Sequence, residues 1–454
     1  MTSSDFLEKM KGHGPKPAVL YREREYSYAN LLDAIGRATD DLRSVRVARH
    51  QVVALASDYT FYSIACFFAL LQNGNVIVPL PSRVEQEAEE RIRESYADFK
   101  LVLREEKGDI FSLGDERPKH ALFDELRRTG SSGLVLFSSG STGKPKAMLH
   151  DLDRLLAAYQ DRPGKSNRMM VFLMFDHIGG LNTLFNSLAT GSLLAIPESR
   201  DPDYICRQIE KHRLNILPAS PTFLNLLLLR ESYNNYDLSS LSLITYGTEP
   251  MSASLLQRVH AAFPSVKLLQ TFGTSETGIA KTFSRSSEST LVKLEDPQME
   301  FRIVEGELWI RSRTRILGYL NAPMDDFTED GWYRTGDLVA AEADGYLRIV
   351  GRIKEVINVG GQKVLPEEVE NVLLQCPAVA DCLVYGEKNA IMGQIVAADL
   401  VLKNPEAAAS IRKEVRIFCR RSLEDYKIPS RINLVERTNF NERFKKIRRK
   451  NPSG

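Results

Sequence analysis

The stretch FSSGSTGKPKA, residues 137–147, gathers small hydroxyl residues, glycines and lysines in a pattern that suits phosphate. Glycine leaves backbone N–H groups accessible, and hydroxyl and ammonium groups add donors and positive charge for phosphate oxygens. The preceding apolar run GLVLF predicts that the stretch leaves the end of a strand. It is not a Walker A motif, because Lys144 is followed by Pro145 rather than by Ser or Thr. By composition alone, a flexible surface loop is an equally good interpretation.

Three further short motifs contain residues that could do chemistry. QTFGTSETG (270–278) contains the carboxylate of Glu276. YRTGDL (333–338) contains Asp337, a carboxylate with two acceptor oxygens. The fourth motif is GRIKEVINVGGQKVLPEEVE (351–370). Taken singly, Glu276 is more typical of a solvated loop carboxylate and TGD of an ordinary turn, so only the combination is informative.

Length, charge and cysteine content limit the class of protein. The chain has 454 residues, 43% of them hydrophobic and 26% charged, with a formal net charge of +1. This composition is typical of a globular protein and argues against a nucleic-acid or membrane-surface partner. The five cysteines are scattered without a CxxC pair, which fits a reducing compartment better than a disulfide framework or zinc site. The N-terminus lacks the apolar core of a signal peptide, so we expect a cytoplasmic protein without a membrane span.

The elements that must position these motifs are of two kinds. Up to about residue 350, short apolar runs alternate with helical patterns, as in FYSIACFFALLQNGNVIVPLP, which predicts a buried helix, a Gly/Asn stop and a strand. Such alternation predicts an α/β fold with parallel sheets covered by helices. The following segment predicts strands, a Gly-Gly turn and a helix opened by Pro366. We therefore predict a large N-terminal domain (1–351) and a small mobile α+β domain (352–454), with a hinge at 352–354.

In their order and spacing, the four motifs resemble those of the adenylate-forming superfamily, which includes acyl-CoA synthetases, aryl-acid ligases, adenylation domains and firefly-type luciferases. The resemblance extends from PAVLYREREYSYANLLDAI to KKIRR and so covers nearly the whole chain. It implies that a carboxylate attacks the α-phosphorus of ATP, releasing pyrophosphate and forming an acyl-adenylate, from which a thiol displaces AMP. Catalysis of this kind consists mostly of positioning and charge neutralisation. The implied requirements are ATP, Mg2+, a small carboxylic acid, and CoA or the phosphopantetheine of a carrier protein.

The resemblance also implies roles for individual residues. Glu276 is expected to hold Mg2+, Asp337 to accept both ribose hydroxyls, and Arg352 to lie near the ribose. Ala147 replaces the glycine that usually follows the last lysine of the phosphate loop. The residues implied to bind the nucleotide are Ser138, Ser139, Gly140, Ser141, Thr142, Gly143, Lys146, Gly247, Thr248, Glu249, Phe272, Gly273, Ser275, Asp337 and Arg352.

A C-terminal lysine is implied to bridge the carboxylate and the phosphate during adenylation. Family members end in a Gly-Lys-Ile-x-Arg pattern, and Lys446 matches this lysine through Ile447 and Arg449, with Lys445 at the position of the glycine. We therefore expect Lys446 to be catalytic, with Lys445 as the alternative. A solvated basic tail remains an open interpretation of the segment.

The second half-reaction is implied to need a domain rotation. Lys354 stands at the hinge of the family and is expected to be the pivot. Gly360 and Gly361 would then allow the close approach of a pantetheine arm.

The segment LMFDHIGGLNTLF (173–185) bears on the choice of acid. Aligned on HIGGL, His177 takes the position of a histidine common in acyl- and aryl-CoA ligases. Aligned on Phe-Asp, Asp176 would match the carboxylate that binds the amino group in amino-acid-activating members. The longer match favours His177 as a catalytic residue and a carboxylic acid without an α-amino group, although a lone histidine is often a packed, hydrogen-bonded residue.

Three functional hypotheses follow from these patterns. The first is an AMP-forming acid–thiol ligase that makes an acyl- or aryl-CoA. The second delivers the same acyl group to an acyl carrier protein. The third is a nucleotide-binding protein of the same fold without catalytic activity, which the loss of Glu276, Asp337 or the terminal lysine would have indicated.

Overall fold

The computed structural model describes residues 3–81, 84–104, 107–114, 117–138, 144–404, 408–442 and 444–448. Helices and strands are numbered in chain order. The helices are α1 (Ser3–Lys11), α2 (Tyr28–Ser44), α3 (Phe61–Asn73), α4 (Glu85–Glu94), α5 (Leu122–Thr129), α6 (Leu152–Ala157), α7 (Ile178–Thr190), α8 (Pro202–His212), α9 (Pro221–Leu229), α10 (Ala253–Ala262), α11 (Pro366–Leu373) and α12 (Ala408–Cys419).

Two seven-stranded sheets form the body of the large domain. The first has six parallel strands and one antiparallel edge strand, in the order β13 (Lys267–Gln270), β12 (Leu243–Tyr246), β11 (Ile216–Ala219), β9 (Arg168–Met170), β10 (Leu193–Ala195), β1 (Pro17–Tyr21) and β2 (Arg24–Ser27). The second is parallel at its centre and antiparallel at both edges, in the order β20 (Gly318–Tyr319), β8 (Lys146–Asp151), β7 (Gly133–Ser138), β4 (Val76–Pro79), β3 (Val52–Ala56), β5 (Phe99–Arg104) and β6 (Lys107–Ser112).

The remaining sheets are mainly antiparallel. A six-stranded sheet has the order β16 (Thr282–Ser284), β17 (Leu291–Leu294), β22 (Leu347–Arg352), β21 (Tyr333–Ala341), β19 (Glu307–Ser312) and β18 (Met299–Val304), and a short hairpin joins β14 (Phe272–Thr274) to β15 (Gly278–Ala280). The C-terminal sheet has the order β24 (Gln362–Val364), β23 (Ile357–Val359), β26 (Gly393–Leu402) and β25 (Val379–Asn389), with β27 (Arg431–Leu434) parallel to β26.

Helix α3 is the central element of the core. Its residues from Phe61 to Leu71 are buried, and it contacts β1 of the first sheet and β3 and β4 of the second. Thr60 and Ser63 form a reciprocal capping box at its start, and Gly74 ends it with a φ of 77°. Because a helix that is apolar on all sides must be enclosed, α3 packs between two sheets. The predicted helix, stop and strand are confirmed.

The α/β prediction of a large N-terminal and a small C-terminal domain is confirmed. The predicted boundary, between residues 351 and 352, falls just before the last residue of β22. Beyond it, β23 and β24 form a hairpin around Gly360 and Gly361, and α11 begins at Pro366. Among the described residues, no helix is both long and apolar enough to cross a membrane.

His150 is an unusual component of the second sheet. It lies in β8, is fully buried, and neither ring nitrogen makes a hydrogen bond within the described part of the chain. Burial lowers the pKa of His150 to about 3, whereas an exposed histidine titrates near 6.5. The unfolded chain therefore binds a proton at a pH where the folded protein does not.

We predict that His150→Leu makes unfolding less sensitive to acid. Because the folded pKa is depressed, stability from His150 is present above about pH 6.5 and is lost as the pH falls towards 3, by about 1.4 kcal/mol per pH unit. Urea unfolding of both proteins between pH 7 and 4.5 measures this difference. Parallel stability curves for the two proteins would contradict the assignment.

Candidate active site

One cavity of about 800 Å³ receives residues from all four sequence motifs. Its walls are the ends of β7 and β8, the loop before α7, the turn between β14 and β15, part of β21, the segment after β22 and, near the C-terminus, Asn441, Glu442 and Lys445. The predicted site residues that line it are Ser138, Lys146, His177, Thr248, Phe272, Gly273, Ser275, Glu276, Arg352 and Lys354.

The predicted phosphate loop lies between two antiparallel strands in the sequence. Ser138 and Lys146 form the last pair of β7 and β8 before the loop. Lys146 Nζ donates to Asp326 Oδ2 at 2.7 Å and lies 4.7 Å from the centre of the Tyr319 ring, which fixes its ammonium at the cavity wall. The predicted phosphate ligands that lie outside the described residues are Ser139, Gly140, Ser141, Thr142 and Gly143.

Glu276 fits the role of a Mg2+ ligand. It lines the cavity, is 8% exposed, and accepts a 3.4 Å hydrogen bond from the Tyr319 hydroxyl. Burial raises the pKa of Glu276, while hydrogen bonds from Tyr333 and Tyr319 and the charge of Lys146 oppose that shift. The described residues include no cluster of three His, Cys, Asp or Glu side chains that would hold a metal alone. Mg2+ is commonly held by one or two carboxylates together with substrate phosphates, so a single carboxylate here is sufficient.

Asp337 and Arg352 form a fixed pair beside the cavity. They face each other across β21 and β22, and Arg352 Nε donates to Asp337 Oδ1 at 2.7 Å. Asp337 is only 4% exposed, and its backbone N–H donates to Thr335 Oγ1 at 3.0 Å. Burial raises the pKa of Asp337, and the charge of Arg352 opposes this shift. The carboxylate is thus held in one orientation, which recognition of a diol requires.

His177 is the N-cap residue directly before helix α7 and lines the cavity. Its Nδ1 accepts the N–H of Gly179 at 3.0 Å, so the neutral ring carries its proton on Nε2. Gly180 permits this turn, because a Cβ there would lie 2.4 Å from the carbonyl oxygen of Met174. The HIGGL sequence therefore fixes both the position and the tautomer of the histidine.

Asp176 is already engaged by a cation. It is 2% exposed, and Arg91 Nη1 donates to its Oδ2 at 3.1 Å. Arg91 also pairs with Glu87 and lies 5.5 Å from the centre of the Phe137 ring. All four residues line the cavity. The charge of the buried carboxylate is thus compensated from within the protein.

The GTE segment (247–249) lies between the cavity and the small domain. A Cβ on Gly247 would lie 2.4 Å from Thr271 Oγ1, and Thr248 has a φ of 72°, which is uncommon for a β-branched residue. Glu249 Oε1 accepts the N–H of Thr222 at 2.6 Å, and its Oε2 accepts the N–H of Lys446 at 3.2 Å. The Glu249 carboxylate is therefore bound to two backbone amides.

The structure separates the two C-terminal lysines. Lys445 lines the main cavity and a neighbouring interdomain cavity of about 450 Å³, and burial lowers its pKa. The ammonium of Lys446 instead donates to Cys382 O at 2.6 Å and to Asp381 Oδ1 at 3.5 Å, inside the small domain. Lys446 is not among the residues that line the main cavity, which Lys445 reaches in its place.

The hinge and the thiol-arm residues lie in different places. Lys354, in the short helical turn Ile353–Glu355, lines the cavity. Gly360 and Gly361 have φ values of 57° and 90° at the tip of the β23–β24 hairpin and line neither of these two cavities. The structure thus does not place the thiol-arm face at the site in this arrangement of the domains.

Two residues of the site lie outside the sequence motifs. They are Arg91 and Ser220, whose hydroxyl donates to the carbonyl oxygen of Phe444 at 2.8 Å. Arg91 lies four residues after Glu87 on α4, a spacing that by itself indicates an exposed helix-surface pair. No local signal distinguishes a buried arginine from an exposed one at this spacing.

Comparison with protein-family models identifies both parts of the chain. Residues 6–320 match the model of the AMP-binding enzyme family, and residues 368–445 match the AMP-binding enzyme C-terminal domain. A probable CoA ligase CCL5 of Humulus lupulus is 31% identical over 84% of this chain and 79% of its own. An indoleacetate–CoA ligase of Aromatoleum aromaticum is 26% identical over 88% of both chains.

Solved structures share the fold over nearly the full length. An anthranilate CoA ligase AuaEII in complex with anthranoyl-AMP superposes with a TM-score of 0.81 at 20% identity, covering 98% of this chain and 97% of that one. An o-succinylbenzoate CoA synthetase of Bacillus subtilis with its acyl-adenylate superposes with a TM-score of 0.78 at 23% identity and the same coverage. The chain belongs to the AMP-binding enzyme family and is an adenylate-forming ligase.

Proposed function

We propose that the protein activates a carboxylic acid without an α-amino group as its acyl-adenylate and transfers the acyl group to the thiol of CoA. The observation that carries this proposal is the single cavity that collects Lys146, Glu276, His177, Arg352 and Lys445. Relatives with CoA-ligase names support CoA as the acceptor. The presence of the acidic and basic groups argues against a nucleotide-binding protein without catalysis.

The adenylation step needs a neutralised triphosphate and an aligned acid. In our proposal, Ser138 and Lys146 bind phosphate oxygens, Asp337 accepts the ribose hydroxyls beside Arg352, and Phe272 packs near the adenine. Glu276 would hold Mg2+, which supplies positive charge to the phosphate oxygens when bound. The acid's own carboxylate is the nucleophile, so the side chains contribute orientation and charge.

Lys445 is the lysine that we place at the reacting groups, in preference to the sequence-based choice of Lys446. Its position on the cavity lets the ammonium reach the α-phosphate and the acid carboxylate. Burial makes such a charge more effective, because less water screens it. The backbone of Phe444 supports the alignment in which Lys445 is the lysine of the Gly-Lys pattern. In that alignment Phe444 stands at the position of the glycine, and its φ of 51° is one that glycine adopts readily.

The acid pocket favours a substrate without an amino group. A buried carboxylate such as Asp176 would attract an ammonium group if it had no cation of its own. Arg91 supplies that cation, and Glu87 holds Arg91 in place. An α-ammonium group would therefore lose its hydration without gaining a carboxylate.

The proposal predicts acid-dependent exchange of labelled pyrophosphate into ATP without any thiol. We expect exchange with acyl or aryl acids in the presence of Mg2+, and much slower exchange with the corresponding α-amino acids. Addition of CoA should then release AMP, and a holo carrier protein in place of CoA tests the alternative acceptor. Absence of exchange with every acid, while ATP still binds, would refute the proposed activity.

The two lysines give different predicted phenotypes. Lys445→Ala should lower pyrophosphate exchange by about 10²-fold, because one charge at the reacting groups is lost, with little change in thermal stability. Lys446→Met is the matched control; it should lower the melting temperature, because Asp381 and Glu370 keep their buried charges without this cation. Thioester formation from a preformed adenylate should survive in Lys445→Ala. Selective loss of adenylation in the Lys446 variant alone would return the role to Lys446.

The Arg91–Asp176 pair predicts a change in substrate preference. Arg91→Met should shift the kcat/KM ratio between phenylalanine and 3-phenylpropanoate by about tenfold in favour of the amino acid, because Asp176 becomes available to an ammonium group. Arg91→Lys keeps the charge and should leave the ratio near that of the wild type. The double variant Arg91→Met/Asp176→Asn should not show this shift in the kcat/KM ratio towards the amino acid. An unchanged ratio in a folded Arg91→Met protein would show that the pair does not set this preference.

A further inference from the structure

The C-terminal segment crosses from the small domain onto the large domain at Phe444. The Phe444 ring lies 5.4 Å from the ring centre of Phe172 and 5.6 Å from that of Phe223, both in the large domain. Its backbone has a φ of 51°, a conformation that bulky residues rarely adopt. Such a conformation persists only where the surroundings fix it, so the contacts around Phe444 must hold its backbone.

Two hydrogen bonds from the large domain hold the backbone on either side of Lys445. On one side, the Ser220 hydroxyl donates to the carbonyl oxygen of Phe444 at 2.8 Å. On the other, the N–H of Lys446 donates to Glu249 Oε2 at 3.2 Å. Lys445 is the single residue between these two points, and its side chain lines the cavity.

The Glu249 carboxylate is committed to this arrangement. Its Oε1 accepts the N–H of Thr222 at 2.6 Å, near the start of α9, while its Oε2 accepts the Lys446 N–H. Burial raises the pKa of Glu249, and the hydrogen bonds from Thr222 and the charge of Lys446 oppose that shift. Glu249 does not line the main cavity but does line the neighbouring interdomain cavity. These contacts argue against a role for Glu249 as a direct ligand of the nucleotide.

We propose that Ser220 and Glu249 form a two-point backbone clamp that positions Lys445 for adenylation, an inference that rests on the proposed function. Each hydrogen bond of the clamp runs between a side chain of the large domain and a backbone group of the C-terminal segment, at residue 444 or residue 446. Glu249 is therefore a positioning residue that acts through Lys445. When the small domain rotates for thioester formation, both hydrogen bonds must break, so the clamp belongs to the adenylation arrangement alone.

A double-mutant cycle on the full-length protein tests the clamp. We would measure pyrophosphate exchange in the wild type, Glu249→Ala, Lys445→Ala and the double variant. Glu249→Ala should lower the maximal exchange rate by about 10- to 100-fold with little change in the KM for ATP, because the lysine is misplaced. In the Lys445→Ala background, the same substitution should cost less than about twofold, because the group that it positions is already absent.

Glu249→Gln is the conservative variant. Its amide oxygen accepts one N–H in place of two, so we expect an exchange rate between those of the wild type and Glu249→Ala. Thermal unfolding of each variant separates misplacement of Lys445 from loss of the fold.

Losses that multiply in the double variant, or a rise in the KM for ATP, would overturn the clamp and make Glu249 an independent ligand. If Glu249→Ala does not fold, the cycle with Glu249→Gln gives the same comparison. Absence of exchange in the wild type would refute the proposed function itself, together with this inference.

Discussion

The alternation of side chains along the extended C-terminal segment determines how the active site is assembled. Successive side chains of an extended chain point to opposite sides. Lys446 and Arg448 both point into the small domain, where Lys446 meets Asp381 and Arg448 meets Glu370 and Glu367. Lys445 must therefore face the other way, towards the large domain and the cavity. The buried ion pairs of the small domain thus decide which lysine faces the cavity.

The orientation of the C-terminal segment depends on ion pairs that compensate buried charges. Arg448 also pairs with Glu355 at 3.0 Å, so one guanidinium links the hinge segment, α11 and the tail. Burial raises the pKa of Glu367, whereas the positive charge of Arg448 lowers it. Removing one member of such a network leaves an uncompensated charge, which is strongly destabilising. The tail is therefore held in one register, and the same register supplies Lys445 to the cavity.

The sequence predicted the fold more completely than the site. Helix α3 could be predicted from the sequence because its apolar run, its capping residues and the following Gly74 all indicate the same helix. The motifs likewise indicated which loops would meet, and each of the four contributes residues to one cavity. The motif favours Lys446 through Ile447 and Arg449, whereas the structure directs the Lys446 ammonium into the small domain and brings Lys445 to the cavity, a difference that depends on contacts remote in sequence. Arg91 was not predictable, because its partner Asp176 is remote in sequence and close only in the fold.

Two neighbouring cavities share Thr248, Arg352 and Lys445 at their junction. Arg352 ends β22, directly before the proposed hinge. Lys445 belongs to the C-terminal segment, which is linked to the hinge segment through the Arg448–Glu355 ion pair. Gly351 lets α11 approach this point, because a Cβ there would lie 2.8 Å from Glu367 Oε2. A rotation at Lys354, as proposed for thioester formation, would carry Lys445 away with the small domain, whereas Arg352 is the last residue of β22 and stays paired with Asp337 across β21 and β22. The proposed adenylating lysine would therefore leave the site while the proposed ribose contact stays in place, because the two lie on opposite sides of a single hinge.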